Sequence, residues 1–330
     1  MSRVSVGVVG LGYWGPNLAR NFDRLGDLRW ICDGSEESRE RWAKAFPEAR
    51  VAGDLDELLA DSDLDAVAVA TPVPTHAALA RRVLEAGKHC FVEKPLAQSL
   101  AEAEELAEVA RGSDRVLMVG HLLEYHPGVE RLKQIVDAGG LGSIHYIYGN
   151  RLNLGKLRPD ENALWSLGAH DVSVLLRLAG GEEPSECRAV GESYMREGIE
   201  DVVFCYLRFP SGIAAHLHLS WLDPHKDRRL TVVGSQKMAT FDDMALERKL
   251  TVYDKGFDQD YRNFGEYIQR SGDVWSPTVP NDEPLRIECA HFLECVESGR
   301  EPRSGLDSGL RVVRVLEELQ RSLEESRRAG

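Results

Sequence analysis

An apolar run from Val4 to Val9 passes directly into Gly10-Leu11-Gly12-Tyr13-Trp14-Gly15, and a second apolar run, Leu28 to Cys32, ends on Asp33. A lone G-x-G-x-x-G marks any turn, so the flanks decide. Val4, Val6, Val8 and Val9 suit a buried parallel strand; Pro16 suits the first turn of a helix, and Leu18, Phe22 and Leu25 recur at helical spacing before Gly26 stops it. Strand, glycine turn and helix follow in the order of a dinucleotide-binding fingerprint. Gly10 permits the tight turn, Gly12 lets the backbone approach a pyrophosphate, and Gly15 lets helix pack on strand, while the free N–H groups at the helix start present about half a positive charge to the anion. Asp33 falls 21 residues after Gly12, close to the ~20-residue offset of a ribose-binding carboxylate. A carboxylate there accepts the ribose hydroxyls and repels a 2′-phosphate, which favours NAD over NADP; Arg39 and Arg41 are the groups within reach of such a phosphate.

The chain has 330 residues, long enough for two domains, and 43% hydrophobic content with 28% charge places it among globular proteins. Its start carries no apolar signal region, and no run approaches the ~20 residues that span a bilayer. A soluble, cytoplasmic protein is expected. Six cysteines (Cys32, Cys90, Cys187, Cys205, Cys289, Cys295) lie scattered, several in apolar runs, which reads as buried thiols rather than disulfides or a metal site. His216 and His218 share a strand face without a third ligand nearby. The net charge of −14 argues against nucleic acid or an anionic membrane as partner. An anionic substrate would need a local basic cluster, and Arg151-Leu-Asn153-Leu-Gly-Lys156-Leu-Arg158 offers one unless it is only a solvated loop.

Past Asp33 helices and strands alternate. Trp42 and Phe46 mark a helix, Asp54 with Glu57 resembles a capping box, Asp65 to Thr71 reads as a strand, Thr75 to Ala86 as a helix, His89 to Val92 as a strand, Ser99 with Glu102 as a helix start, and Val116 to Val119 as a strand. Such alternation specifies an α/β fold with a doubly wound parallel sheet, whose ligands sit beyond the carboxyl ends of the strands. Thr71-Pro72-Val73-Pro74-Thr75-His76, Glu93-Lys94-Pro95 and Gly120-His121 all fall there. After residue 121 the pattern changes to one helix near Pro127–Ala138 and longer strand-like runs, Ile144–Arg151, Val202–Phe209, Ile213–Trp221 and Leu230–Val233. Two domains are expected, 1–121 and 122–330, the second an α+β domain on a large open, mostly antiparallel sheet. A sheet face left uncovered needs a partner, so a homo-oligomer, dimer or tetramer, is expected.

Taken together, Gly10-Leu-Gly-Tyr-Trp-Gly15, Ala70-Thr-Pro72 with His76, Glu93-Lys-Pro95 and Leu164-Trp-Ser-Leu-Gly-Ala-His170-Asp171 resemble the Gfo/Idh/MocA oxidoreductases over essentially the whole chain. Glu-Lys-Pro is the most specific of these. Gly-Tyr-Trp-Gly-Pro-Asn, Tyr125-His-Pro127 and Leu-Trp-x-Leu-x-x-His-Asp are similar to the branch of 3-dehydrogenases acting on UDP-N-acetylglucosamine or its uronic acid. The resemblance implies a Rossmann domain and an open-sheet substrate domain, with a nicotinamide cofactor accepting hydride from a secondary alcohol. It implies Lys94 and His170 around the substrate hydroxyl as the catalytic groups. Glu93 falls near the nicotinamide ribose, with Tyr13, Trp14, Thr71, Pro72 and His76 along the cofactor. Tyr125, Arg151, Asn153, Arg158, Trp165 and Ser166 are expected at the substrate. Imidazole titrates near ~6.5, which suits a base working at ambient pH. His121, Tyr125 and His126 either line the pocket or pack between the domains. One position departs from the family: an aspartate common four residues before the histidine is Ser166, which cannot stabilise an imidazolium by charge, and Asp171 points about 100° away on a helix. The expected function is NAD-dependent oxidation of a nucleotide-linked sugar, with a free-sugar or inositol dehydrogenase, or a non-catalytic NAD-binding relative, as alternatives.

Overall fold

The computed structural model describes residues 3–155, 157–158, 161–260 and 266–329. The chain forms two compact units, Met1–Leu122 with Glu283–Arg314, and Leu123–Asp282 with Val315–Gly330. The expected cut near residue 121 falls at the first of these boundaries, but a single cut does not describe the chain, because residues 283–314 return to the first unit.

In the first unit, strands and helices alternate as β1 (Ser5–Val9), α1 (Gly15–Leu25), β2 (Asp27–Cys32), α2 (Glu36–Ala43), β3 (Arg50–Ala52), α3 (Leu55–Leu59), β4 (Ala66–Val69), α4 (His76–Glu85), β5 (His89–Glu93), α5 (Leu100–Gly112) and β6 (Leu117–Gly120). The six strands form one parallel sheet in the order β3-β2-β1-β4-β5-β6. β1 and β4 are buried throughout, as strands covered on both faces must be. The helix starts follow their sequence signals. Ser99 Oγ accepts from Glu102 N at 3.3 Å; Asp54 accepts from Asp56 N at 2.8 Å, while Glu57 reaches back to Gly53 N at 3.1 Å.

The second unit opens with α6 (Pro127–Asp137), β7 (Ile144–Leu154) and α7 (Ala169–Leu178), followed by β8 (Glu186–Glu192), β9 (Val202–Arg208), β10 (Ala214–Ser220), β11 (Leu222–Gly234), β12 (Met238–Asp242), β13 (Leu250–Asp260) and β14 (Glu266–Trp275). α8 (Pro284–Ser298) belongs to the first unit, and α9 (Leu306–Ala329) contributes residues to both. The eight strands run β14-β13-β12-β11-β7-β10-β9-β8, antiparallel except for β7 beside β10. Period-two alternation gives this sheet two unlike faces. Ile147, Val203, Leu207, Ala215, Leu217, Leu219, Val232 and Ala239 point into the core. The other face presents Tyr146, Tyr148, Phe204, Tyr206, His216 and His218, with His216 stacked on Tyr148 at 5.2 Å and His218 on Phe204 at 4.4 Å between ring centroids. The paired histidines of the sequence therefore do share a face, and aromatic rings are their neighbours.

Candidate active site

In the first unit the glycine turn is built as the fingerprint requires. Gly10 has φ +92° and a Cβ there would meet Ala70 backbone atoms at 2.7 Å; one on Gly15 would overlap the Gly10 carbonyl oxygen. Gly12 differs, since a Cβ there would meet nothing within 4 Å, and this is the open side from which a pyrophosphate approaches. α1 has Pro16 in its first turn, no side-chain cap and no acidic residue there, so its N–H groups remain available to an anion. A cavity of about 530 Å³ is lined by Gly10, Gly12, Asp33, Gly34, Ala70, Thr71 and Pro72, at the carboxyl ends of β1, β2 and β4. The strand order reverses between β1 and β4, the crevice where doubly wound sheets take dinucleotides. Cradle, helix terminus and carboxylate together fit a nicotinamide dinucleotide.

Asp33 does more than face the cavity. Oδ2 accepts from Leu11 N at 2.7 Å and Oδ1 from Ser35 N at 2.8 Å, so the carboxylate ties the glycine turn to the end of β2. Trp42 Nε1 donates to Leu11 O at 3.1 Å and braces the same turn. Arg39 donates through Nη1 to the carbonyls of Asp33 and Gly34 at 2.8 and 3.1 Å, and Arg41 lies 5.0 Å over the Trp42 ring.

At the ends of β5 and β6, Glu93 and Gly120 are register partners. A Cβ on Gly120 would lie 3.0 Å from Glu93 Oε2, so any side chain there would press on that carboxyl group. Glu93 accepts from Lys94 N at 3.2 Å and from the Trp14 side chain, yet burial outweighs both and raises its pKa to about 7. Trp14 is thus joined to Glu93, whereas Tyr13 is 93% exposed and lines no part of the cavity. His76 is buried with Nδ1 2.8 Å from Pro95 O and Nε2 2.8 Å from Thr71 O. Its ring links the loops after β4 and β5 and does not line the cavity. Lys94 is half-buried at the same sheet edge, and His121 is fully buried beside it.

In the second unit, His170 opens α7 directly after a π-turn, Leu164–Gly168, which carries Trp165 and Ser166. π-turns cluster at functional sites, and this one carries Ser166 into the helix that holds His170. Asp171 is no substitute for the missing aspartate: its carboxylate receives Arg151 Nε and, at 3.2 Å, Arg151 Nη2, and the two residues are 6% and 5% exposed. Arg151, expected at the substrate, is thus held in a buried ion pair through two of its five N–H donors. Arg158 is exposed and paired with Glu161 at 2.8 Å, Asn153 is half-buried on the Arg151 face of β7, and Lys156 lies outside the described residues. Tyr125, expected at the substrate, is 1% exposed. His126 caps α6, Nδ1 accepting from Gly128 N at 3.0 Å, and its Nε2 lies 3.3 Å from Asp243, whose carboxyl is drawn down to about 2 chiefly by that bond.

Sequence reasoning missed Arg228. It stands directly opposite Arg151 across β11 and β7, on the same sheet face. Its nearest carboxylate, Asp243 at 3.8 Å, is shared with His126 and Lys249, and its Nε is buried without a partner. Burial and the facing Arg151 hold its guanidinium below the ordinary value. Arg151, Arg228 and Lys249 therefore outnumber Asp171 and Asp243, which makes this face locally cationic within an acidic protein. Only strand pairing reveals it, since 77 positions separate the two arginines.

Residues 4–121 match the oxidoreductase family with an NAD-binding Rossmann fold, and residues 129–240 match the Gfo/Idh/MocA C-terminal domain. The UDP-N-acetylglucosamine 3-dehydrogenase of Acidithiobacillus ferrooxidans is 31% identical over 259 residues, 78% of this chain and 79% of that protein. The solved structure of that enzyme, GnnA, has a TM-score of 0.84 at 27% identity over 98% of this chain and 99% of the other. The myo-inositol 2-dehydrogenase of Thermotoga maritima is 27% identical over 98% of this chain and 97% of its own length. GenD2 from gentamicin A biosynthesis, solved in complex with NAD, has a TM-score of 0.83 at 26% identity, covering 99% and 95% of the two chains. Among the described residues no helix is long and apolar enough to cross a membrane. With its glycine cradle, its Glu-Lys-Pro turn and these relatives, the chain belongs to the Gfo/Idh/MocA oxidoreductase family, as a nicotinamide-dependent dehydrogenase acting on CH–OH groups.

Proposed function

We propose that this protein oxidises a secondary hydroxyl, at C3, of a nucleotide-linked sugar. The observation that carries this reading is the 31% identity with a UDP-N-acetylglucosamine 3-dehydrogenase across more than three quarters of both chains. The cationic face around Arg228 supports it, because guanidinium and ammonium groups pair well with the oxygens of a diphosphate. When bound, the dinucleotide supplies the hydride acceptor. The α1 N-terminus and the Gly12 backbone hold its pyrophosphate, and Asp33 holds the adenosine ribose. Lys94 and His170 take the hydroxyl proton, with Glu93 beside the nicotinamide ribose and Trp14 fixing Glu93. NAD is preferred over NADP because Asp33 repels a 2′-phosphate. The six cysteines are free, which suits the cytoplasm. The open aromatic face of the large sheet joins two copies into a homo-oligomer, a dimer or tetramer.

The second reading, a free polyol as substrate, is favoured by the 27% identity with an inositol dehydrogenase over nearly the full chain. Reduced-nicotinamide formation on a panel of nucleotide sugars and polyols, with and without 2-oxoglutarate and with sugar oxidation followed by mass spectrometry, separates the two. Oxidation of UDP-linked sugars alone supports the first reading, and oxidation of polyols alone replaces it. Bound NAD with no turnover on any member marks a relative that kept the cofactor and lost the reaction. Lys94→Met should abolish turnover with NAD binding intact; unchanged turnover removes Lys94 from the mechanism.

A further inference from the structure

The cavity of the first unit extends beyond the positions of the pyrophosphate and the adenosine ribose. Past Asp33 its lining continues to Ser38 of α2, to Gly53, Asp54 and Leu55 where β3 turns into α3, and to Leu79 and Arg82 of α4. In the sheet, β2 and β3 are separated from β5 by β1 and β4, so this compartment lies on the side away from Glu93 and Lys94. With the nicotinamide at the β5 end, the piece of the dinucleotide left for this compartment is the purine base. Leu79 and Arg82 are three apart on α4 and share a face of the helix. Leu55 is buried at the start of α3, so the compartment has aliphatic walls beside the guanidinium.

Arg82 is held in place there. Its Nη2 donates to Asp56 Oδ1, and Asp54 lies 3.9 Å away. The start of α4 is anchored as well, since both ring nitrogens of His76 engage backbone carbonyls. The N–H donors of a guanidinium lie in its plane, so pairing at the edge does not occupy the flat faces, which stack well on aromatic rings. A 2′-phosphate is a poorer fit than a base, because Asp54 and Asp56 already offset the Arg82 charge and Asp33 lines the same cavity. We infer that Arg82 is the adenine-binding residue of this protein, its guanidinium stacking on the purine beside Leu55 and Leu79. This rests on the reading of the cavity as the dinucleotide site and is independent of which sugar is oxidised.

The test is isothermal titration calorimetry of the full chain with ADP-ribose, NAD, NADP and nicotinamide mononucleotide. Stacking a base on a side chain changes affinity by about five- to a hundredfold, and a half-buried arginine belongs in the lower part of that range. Arg82→Ala should weaken ADP-ribose and NAD alike, by about five- to thirtyfold, with the mononucleotide unaffected and the NAD:NADP ratio kept. Arg82→Lys keeps a charge for Asp54 and Asp56 but lacks the plane, and should lose nearly as much. Parent-like ADP-ribose affinity in Arg82→Ala overturns the inference, as does an equal loss for the mononucleotide. Full recovery by Arg82→Lys also overturns it and makes Arg82 a tie between α3 and α4; a loss confined to NADP replaces the base with a 2′-phosphate. Should Arg82→Ala fail to fold, the affinities of Arg82→Lys decide. A parent chain that binds neither NAD nor ADP-ribose removes the dinucleotide reading together with the inference, whereas failure to oxidise any sugar removes neither.

Discussion

Removing one member of the Arg151–Asp171 pair gives the largest stability change that the second unit predicts. Both residues are at least 94% buried, and Asp171 receives two donors of the guanidinium. Hydrogen bonds to charged groups contribute about 1.5–3 kcal/mol each, so losing two amounts to about 3–6 kcal/mol. The general figure for breaking a buried pair, about 3–5 kcal/mol, agrees. Arg228 directly across the sheet adds repulsion once the carboxylate is gone, which places Asp171→Ala toward the upper end. At about 2–4 °C per kcal/mol for a body of this size, a loss of about 5 kcal/mol should lower the unit's melting point by about 10–20 °C, read by calorimetry or by near-UV circular dichroism. The double variant Arg151→Met/Asp171→Leu should recover most of that loss, because no uncompensated charge is left behind. If Asp171→Ala lowers the melting point by less than about 3 °C, or the double variant is no more stable than either single one, the pair is not the buried, mutually dependent unit described above.

Three further outcomes are expected. Asp33→Asn should weaken NAD binding about 10- to 100-fold, from about 1.5–3 kcal/mol of charged hydrogen bonding, and narrow the gap to NADP, measured by fluorescence titration of both; an unchanged NAD:NADP ratio counts against Asp33 as the selector. Glu93 has a folded pKa of about 7, above the ordinary carboxyl value of 4.5, so the folded state holds the extra proton and stability declines as pH rises through that window. Glu93→Gln should therefore flatten the decline, gaining on the parent at pH 8 relative to pH 5 in thermal unfolding, while binding NAD less tightly; parallel pH–stability curves would contradict it. Phe204→Glu and Tyr146→Glu each place a charge on the open sheet face and should shift sedimentation equilibrium toward monomer, whereas an unaltered species locates the interface elsewhere.

The first unit was legible because its signals are local. Val4 to Val9, the glycines and Asp33 sit within one strand-turn-helix-strand stretch, and Ser99 with Glu102 announces its own helix. β3 escaped because three residues, Arg50 to Ala52, carry no period. In the second unit β11 was read only at Leu230–Val233, since Asp223, Pro224, His225 and Lys226 break the apolar pattern where the strand register shifts. β8 escaped as well: Glu186, Arg188 and Glu192 occupy its outer face, so it resembles a charged loop. In the site, the Arg151–Asp171 pair escaped for a different reason. Whether an arginine is a free donor depends on which carboxylate the fold brings to it, and Asp171 reaches it through α7 rather than through the sequence around β7. His170 and Lys94 are proposed from type and motif alone, and those are the features a sequence retains.

The chain's return to its first unit bears on how the protein is made. Phe292 of α8 packs edge-on against Phe22 and Phe91 at 6.1 and 5.7 Å, and Ser304 and Gly305 bond to the end of β6. None of these groups has left the ribosome when β6 emerges, because the 160 residues from Leu123 to Asp282 must be translated first. At about 5–20 residues per second the half-built sheet waits some 8–32 s for its missing aromatic wedge. The segment encoded first is therefore among the last to be completed, and a gene fragment ending at residue 121 would specify a parallel sheet whose Phe22 and Phe91 lack their aromatic neighbour.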